Sequence, residues 1–159
     1  PSWFFKKESE KTFNNDPDLL NLGLQIRKAT KNKGKNITLT QDDIVKLQSL
    51  MLKGDTVELE TKHHFSDGLY ARELFIPAGV CLVGALHKTT HLYMVVKGRC
   101  KVSSQFGNLD IEAPFMGETI PQTKRVIYAE TDCVWITYHP THLTDIDEIE
   151  KALLEPEDI

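Results

Sequence analysis

Cysteine is scarce in this 159-residue sequence, and no two cysteines form a C-x-x-C pair. The three present, Cys81, Cys100 and Cys133, are an odd number in apolar or β-branched stretches, which predicts buried free thiols in a reducing compartment. No apolar run approaches the roughly 18–20 residues that cross a bilayer. The apolar patch at residues 3–5 is too short for the core of a signal peptide. These absences predict a cytoplasmic protein without a membrane partner.

A strong excess of charge is also missing, since the net charge is only −4. The segment 144–159 has seven acids and one lysine and carries −6, which leaves +2 on the rest of the chain. This balance gives no support to a specific nucleic-acid partner, and it is compatible with a small anionic ligand. The same segment is predicted to be a short C-terminal helix, capped by Thr144 and stopped by Pro156, with an acidic tail.

Residues 16–54 have helical patterning, and residues 1–55 are predicted to form an N-terminal helical extension. Asp16-Pro17 is an N-cap followed by proline at the first helical position, and apolar residues follow at helical spacing. Thr40 caps a second predicted helix, with Asp43 completing a weak capping box. This extension precedes the part of the chain that is predicted to be β-structure.

Residues 56–143 change to a period of two, as Tyr70–Ile76 illustrates. Eight or nine short strands, separated by Gly, Pro and Asn signals, predict a single mainly β domain of the jelly-roll β-barrel type. Lys97-Gly98 is predicted to join two of these strands as a hairpin. The predicted order is therefore a helical extension, a β-barrel and a C-terminal helix.

Histidines are the first candidates for chemistry. His87 and His91 are four residues apart, and an extended strand would place both on one face. His139 ends the last predicted strand, on the face that it shares with Trp135. Imidazoles converging inside a barrel bind a transition metal or transfer protons, so His87 and His91 are the predicted catalytic residues and His139 a further metal ligand. The alternative for His139 is a strand-end histidine bonded to backbone; the remaining three, His63, His64 and His142, are predicted to lie on the surface.

A basic pair is the second candidate. Lys124 and Arg125 are consecutive at the start of a strand and are predicted to hold a phosphate or carboxylate, with Lys88 adding a third positive charge. Tyr93 and Trp135 are predicted to line the same pocket. The alternative is an ordinary exposed basic pair. No G-x-G-x-x-G, Walker, G-x-S-x-G or H-E-x-x-H motif is present, and no cysteine has an activating base nearby in sequence.

The segment Gly84–Arg99 resembles the first motif of the cupin superfamily, G-x5-H-x-H-x3-4-E-x6-G. With the last glycine placed on Gly98, the second histidine of the motif is His87 and the glutamate position is His91. The first histidine position is Ala85, which has no ligand atom. This resemblance implies an RmlC-like jelly roll with a metal site that departs from the family pattern.

The second cupin motif is matched less well. When its proline is placed on Pro121, its histidine position is Val126. Glu73 or His139 would then have to supply the missing ligands. The resemblance implies one divalent metal, such as Fe, Mn, Ni or Zn, and the broken motifs leave a metal-free barrel equally open.

A second resemblance, over roughly residues 60–155, is to uncharacterised cupin-like proteins of tailed bacteriophages. It implies a phage origin, with the protein in the host cytoplasm, and no established activity. Thr90 departs from the acidic residue expected there. The segments that carry this resemblance are Tyr70–Gly79, His87–Leu92, Glu112–Pro114, Thr123–Val126 and His139–Thr141.

Three functions remain open on the sequence. The first is an enzyme, either metal-dependent or using histidine as acid and base, such as an isomerase, lyase or dioxygenase. The second is a non-catalytic protein that sequesters a small anionic ligand, for example a host signalling nucleotide. The third is a structural, virion-associated component. A homo-oligomer is expected in each case, because sheet edges and faces of such barrels pair between subunits.

Overall fold

The computed structural model of the chain describes residues 4–7, 39–53 and 58–156. These residues form ten strands and two helices, which we number along the chain. The elements are β1 (Phe4–Lys7), α1 (Gln41–Leu52), β2 (Thr61–Ser66), β3 (Leu69–Ile76), β4 (Val80–Val83), β5 (His91–Lys97), β6 (Arg99–Ser104), β7 (Gly107–Glu112), β8 (Phe115–Thr119), β9 (Arg125–Ala129), β10 (Cys133–Pro140) and α2 (Ile146–Leu153).

The strands form two antiparallel five-stranded sheets. Sheet 1 has the order β1-β4-β9-β6-β7, and sheet 2 the order β2-β3-β10-β5-β8. The two inner faces meet in one apolar core, so the predicted jelly roll is confirmed. This core includes Leu74, Val95 and Trp135 from sheet 2 and Leu82, Val102 and Ile127 from sheet 1.

Helix α1 covers part of the outer face of sheet 1. Its predicted capping box is present: the Thr40 hydroxyl accepts from the backbone N–H of Asp43 at 3.1 Å, and the Asp43 carboxylate accepts from the N–H of Thr40 at 2.9 Å. Its apolar stripe is buried against Val83 and Val126. The predicted helix that starts at Asp16 lies outside the described residues.

Strand β1 lies within the segment that was predicted to be helical. Residues 4–7 pair antiparallel with residues 80–83 of β4, so this part of the N-terminal segment belongs to sheet 1. Local patterning could not predict this strand, because its partner lies more than 70 residues further along the chain.

The predicted hairpin at Lys97-Gly98 is wrong, because β5 and β6 belong to different sheets. Gly98 has a φ of 89°, and a Cβ atom at this position would overlap the backbone oxygen of Asp132. Only glycine allows the chain to turn so tightly from one sheet to the other. Gly98 does mark a turn, as predicted, but this turn connects the two sheets instead of two neighbouring strands of one sheet.

Helix α2 packs against the inner face of sheet 2 at one end of the barrel. Its N-cap is Asp145 instead of the predicted Thr144, since the Asp145 carboxylate accepts from the N–H of Glu148 at 3.0 Å. Ile149 and Leu153 are buried against Tyr70. Among the described residues, no helix is long and apolar enough to cross a membrane.

The three cysteines are free thiols, as predicted. Cys100 and Cys133 are buried in the core between the sheets, and Cys81 is partly buried beside the cluster under α1. Their positions explain why they lie in apolar stretches of the sequence.

Candidate metal centre

Three buried histidines meet inside the barrel, and we call them the histidine cluster: His87, His91 and His139. Their exposed fractions are 8%, 4% and 3%. One ligand nitrogen from each ring lies within 4.8 Å of the other two. The ring centroids are 4.3 Å apart for His87 and His91, 4.7 Å for His91 and His139, and 5.4 Å for His87 and His139. The structure therefore brings together the three predicted imidazoles.

Neighbouring strands of sheet 2 place two of these rings. His91 is the first residue of β5, and His139 lies near the end of β10. The pairing of Tyr138 with Leu92 sets His139 beside His91, and side-chain alternation turns both rings inward. Residues 133, 135, 137 and 139 of β10 are all buried, so His139 shares the inner face with Trp135 as predicted.

His87 lies outside the strands, so the spacing of four residues in an extended strand is not what brings it to His91. It is placed instead by the segment that follows α2. The backbone N–H of Lys88 donates to the Leu153 oxygen at 2.8 Å, and the N–H of Glu155 donates to the Leu86 oxygen at 2.9 Å. These bonds form a short antiparallel bridge between His87 and Leu154. The C-terminal segment thus fixes the third imidazole.

Burial is the main reason why all three imidazoles are neutral at pH 7. It lowers the pKa of His87 to about 2, with further lowering from the other two rings of the cluster. Burial, followed by the positive charge of Arg125, lowers the pKa of His91 to about 4. Burial and the neighbouring His91 lower the pKa of His139 to about 3. Neutral imidazole is the form that binds metal, whereas acid–base catalysis near pH 7 needs a pKa close to 7.

Two ring nitrogens of the cluster have no hydrogen-bond partner within the described part of the chain. Nε2 of His139 lies 3.0 Å from the hydroxyl oxygen of Thr137, and Nδ1 of the same ring is buried without a partner. Nδ1 of His91 is buried without a partner as well. Buried polar atoms are normally satisfied, and a metal ion would satisfy both. The donor set and its orphaned atoms therefore fit a divalent transition metal.

Arg125 points into the same interior. Its guanidinium carbon is 4.7 Å from the ring centroid of Tyr93 and 5.4 Å from that of Trp135. The two rings stack on each other at 4.6 Å. One terminal nitrogen of Arg125 donates to the hydroxyl of Thr119 at 2.7 Å, and Thr119 is the strand partner of His91. Three predicted ligand-binding residues, Arg125, Tyr93 and Trp135, are thus in contact near the histidine cluster.

The other predicted site residues are not brought to the histidine cluster. Glu73 lies on the outer face of β3, where its carboxylate is 3.5 Å from His64. Lys88 is exposed, and its ammonium group donates to a backbone oxygen of α2. Lys124 is fully buried, but it precedes Arg125 in an extended segment, so alternation turns it to the opposite side of sheet 1. The predicted lysine–arginine clamp does not form.

The second cupin motif does not contribute to the cluster either. Val126 packs under α1, on the outer face of sheet 1, so the motif's histidine position points away from the interior. His139 supplies the third imidazole instead. His63, His64 and His142 are exposed, as predicted.

Residues beside the cluster that sequence reasoning missed are Arg72 and Tyr70. Nε of Arg72 donates to the Tyr70 hydroxyl at 3.0 Å, and the Tyr70 oxygen is 2.6 Å from Nδ1 of His63. The Tyr70 ring stacks on His139 at 6.0 Å. A terminal nitrogen of Arg72 is 3.4 Å from a carboxylate oxygen of Glu150 on α2. The signal was available, because Arg72 is a charge on the buried face of an alternating strand.

Comparison with known proteins bears on the fold. No protein-family profile matches the sequence, and no curated protein matches it. The structure is similar to ectoine synthase from P. lautus, with a TM-score of 0.50 and 14% identity, over 62% of this chain and 75% of that one. It is also similar to a cupin superfamily protein from Desulfitobacterium hafniense, with a TM-score of 0.46 and 9% identity, over 57% of this chain and 84% of that one. A third similar structure is an acetylacetone dioxygenase from Acinetobacter johnsonii, with a TM-score of 0.45 and 15% identity, over 56% of this chain and 65% of that one. At these identities the likeness concerns the fold alone, which is a jelly roll of two antiparallel sheets.

Proposed function

We propose that this protein is a cupin-like small-molecule-binding protein in which the histidine cluster holds one divalent transition-metal ion beside an anionic ligand. The observation that carries the proposal is the convergence of three buried, neutral imidazoles, two of which have a nitrogen without a partner among the described residues. Three protein ligands around a metal leave at least one position open for a small molecule.

In this proposal the residues of the site have separate roles. His87, His91 and His139 hold the ion, and imidazole donors suit Zn, Fe and Ni better than they suit Mg or Ca. Arg125 binds the negative charge of the ligand, and Tyr93 and Trp135 keep the interior beside it dry. When bound, the ion supplies Lewis-acid activation of a ligand oxygen, or oxygen activation if it is iron.

The alternatives receive less support from the geometry. Histidine acid–base chemistry without metal needs an imidazole with a pKa near 7, and the pKa values of the cluster are about 2 to 4. Sequestration of a nucleotide needs a cationic clamp, but Lys124 and Arg125 face opposite sides of sheet 1. We keep a phage origin as a proposal, on the resemblance of residues 60–155 to phage cupin-like proteins. We keep a homo-oligomer as a proposal because sheet edges and faces of such barrels pair between subunits.

The test is metal content. Untagged protein is loaded separately with Zn²⁺, Ni²⁺, Mn²⁺ and, without oxygen, Fe²⁺, desalted, and measured by mass spectrometry of its metals. We expect about one ion per chain for at least one metal. The variants His87→Ala, His91→Ala and His139→Ala should each lose most of it, whereas the exposed-histidine control His142→Ala should retain it. The proposal fails if the wild type retains none of the four metals, or if the cluster variants retain as much as the control.

A further inference from the structure

Two arginines face the barrel interior, and they differ in how their charge is balanced. Arg72 has the carboxylate of Glu150 at 3.4 Å. Arg125 has no carboxylate oxygen within 4.0 Å among the residues that the structure describes; its hydrogen-bond acceptor is the hydroxyl of Thr119. A partly buried guanidinium without a counter-ion is unfavourable, so an anion that reaches it would be bound.

The guanidinium of Arg125 is also held in one orientation. Its plane is supported by the Tyr93 ring at 4.7 Å, and its bond to Thr119 at 2.7 Å prevents rotation. One edge is used by this bond, and the remaining N–H groups form a planar fork. Such a fork matches the two oxygens of a carboxylate, and because it is already fixed in place, little freedom is lost on binding.

The position of Arg125 determines how far a bound anion would lie from the histidine cluster. Thr119, which accepts from Arg125, is paired directly with His91 across β8 and β5. Paired residues of antiparallel strands are about 5 Å apart, so an anion on Arg125 lies roughly one side chain from the cluster.

The charge and size of the surroundings select the class of anion. In the metal-free protein, Glu150 balances Arg72 and Lys124 faces the other side of sheet 1, so Arg125 offers a single unbalanced positive charge. A monoanion matches this charge, whereas a phosphate dianion would leave a buried negative charge unmatched. Apolar side chains such as Val95 and Trp135 lie in the neighbouring interior, which favours a small ligand with one charged group.

We propose that Arg125 binds the carboxylate of a small organic acid and directs a second donor group of that acid, such as an adjacent hydroxyl or oxo group, towards the histidine cluster. The second half of this inference rests on the proposed metal site. The first half does not, because the carboxylate interacts with the guanidinium whether or not a metal is bound.

The test uses the full chain with Trp3→Phe, which leaves Trp135 as its single tryptophan and as a fluorescent reporter beside Arg125. Acetate, glycolate, neutral acetamide and inorganic phosphate are titrated at constant ionic strength into metal-free and Zn²⁺-loaded protein. In metal-free protein we expect saturable changes with acetate and glycolate but not with acetamide or phosphate, and in Zn²⁺-loaded protein we expect tighter binding of glycolate than of acetate. Arg125→Met should weaken acetate binding by about tenfold or more, Arg125→Lys should weaken it less, and the exposed control Arg99→Met should not change it.

Several results would overturn the inference, and they are separable from failure of the metal site. In metal-free protein, acetate affinity that is unchanged in both Arg125→Met and Arg125→Lys, or saturation by phosphate and not by acetate, removes the carboxylate assignment. Equal affinities for glycolate and acetate in Zn²⁺-loaded protein remove the role of the second donor. If no metal is retained but metal-free protein binds acetate through Arg125, the proposed metal site fails and the carboxylate site stands. Circular dichroism and thermal melting confirm that each variant is folded.

Discussion

The hydroxyl oxygen of Thr137 lies 3.0 Å from Nε2 of His139, two residues further along β10. Both side chains are buried on the inner face of sheet 2. Because the hydroxyl is the partner of Nε2, Nδ1 is the nitrogen of this ring that remains available to a metal. Thr137 is therefore a positioning residue for His139.

Replacing Thr137 with valine should weaken metal binding. The shape of the side chain is kept, but Nε2 of His139 loses its hydrogen-bond partner. Loss of such a partner of a metal-binding histidine lowers metal affinity by about 10–100-fold. Competition between the protein and a chromophoric Zn²⁺ chelator measures the change. Thr144→Val, at an exposed position before α2, is the matched control and should leave the affinity unchanged. Equal affinities for the two variants would show that Thr137 does not orient the ring.

Acid should destabilise the metal-free protein well above the pH at which carboxylates titrate. The folded-state pKa values of the cluster, about 2, 4 and 3, lie below the value near 6.5 of an unfolded chain, so the unfolded state binds more protons. Stability is therefore full above pH 6.5 and falls as the pH drops towards 4. Each imidazole contributes a slope of up to about 1.4 kcal/mol per pH unit to the free energy of unfolding.

Urea unfolding of metal-free protein between pH 7.5 and 4.5 measures this slope. His139→Gln should make the curve shallower below pH 6.5, because one titrating group is removed. His142→Ala should not, since His142 is exposed. A free energy of unfolding that stays constant from pH 6.5 to 4.5 would contradict the neutral, buried state of the cluster.

Glu155→Pro should loosen the cluster by removing one backbone donor. The N–H of Glu155 donates to the Leu86 oxygen, which helps to place His87, and proline lacks this N–H. The preceding Leu154 has an extended backbone, φ −106° and ψ 141°, which is compatible with a following proline. We expect a lower Zn²⁺ affinity with little change in the melting temperature of the barrel.

Glu155→Ala is the control for this change, because it removes only the side-chain contact with Gln122, 3.1 Å away. The proline variant should bind Zn²⁺ more weakly than the alanine variant. If the two bind equally, the bridge between residues 86–88 and 153–155 does not position His87.

Gly117→Ala should displace the aromatic stack that supports Arg125. A Cβ atom at residue 117 would lie 2.5 Å from the hydroxyl and Cζ of Tyr93, whose ring packs against both Trp135 and Arg125. We expect a loss of about 1–3 kcal/mol in the free energy of unfolding. Tyr93→Leu makes room for the methyl group, so the double variant should lose less than the sum of the two single changes. Strict additivity would show that Tyr93 moves aside without strain.

Local patterns in the sequence were sufficient to predict much of this fold. The alternation along Tyr70–Ile76 matches the buried face of β3, and the Thr40 capping box begins α1 as expected. The alternation along β10 placed His139 on the inner face with Trp135. In each case the signal and the structure involve residues within a few positions of one another.

Contacts between distant segments could not be predicted in this way. His87 is placed by hydrogen bonds to residues more than 60 positions away, and its spacing from His91 carries no information about them. The divergence of Lys124 and Arg125 was predictable, since consecutive residues of a strand point to opposite faces. The prediction of a single clamp was based on the two positive charges and did not use this alternation.

The bridge between His87 and Leu154 also has a consequence for the order of events during translation. A ribosome that has synthesised all ten strands has not yet made the residues that hold His87 in place. The barrel core can fold on the nascent chain before α2 and the residues after it are made, so His87 is not yet held in place at that stage. Binding of an ion by all three imidazoles would then follow synthesis of residue 155.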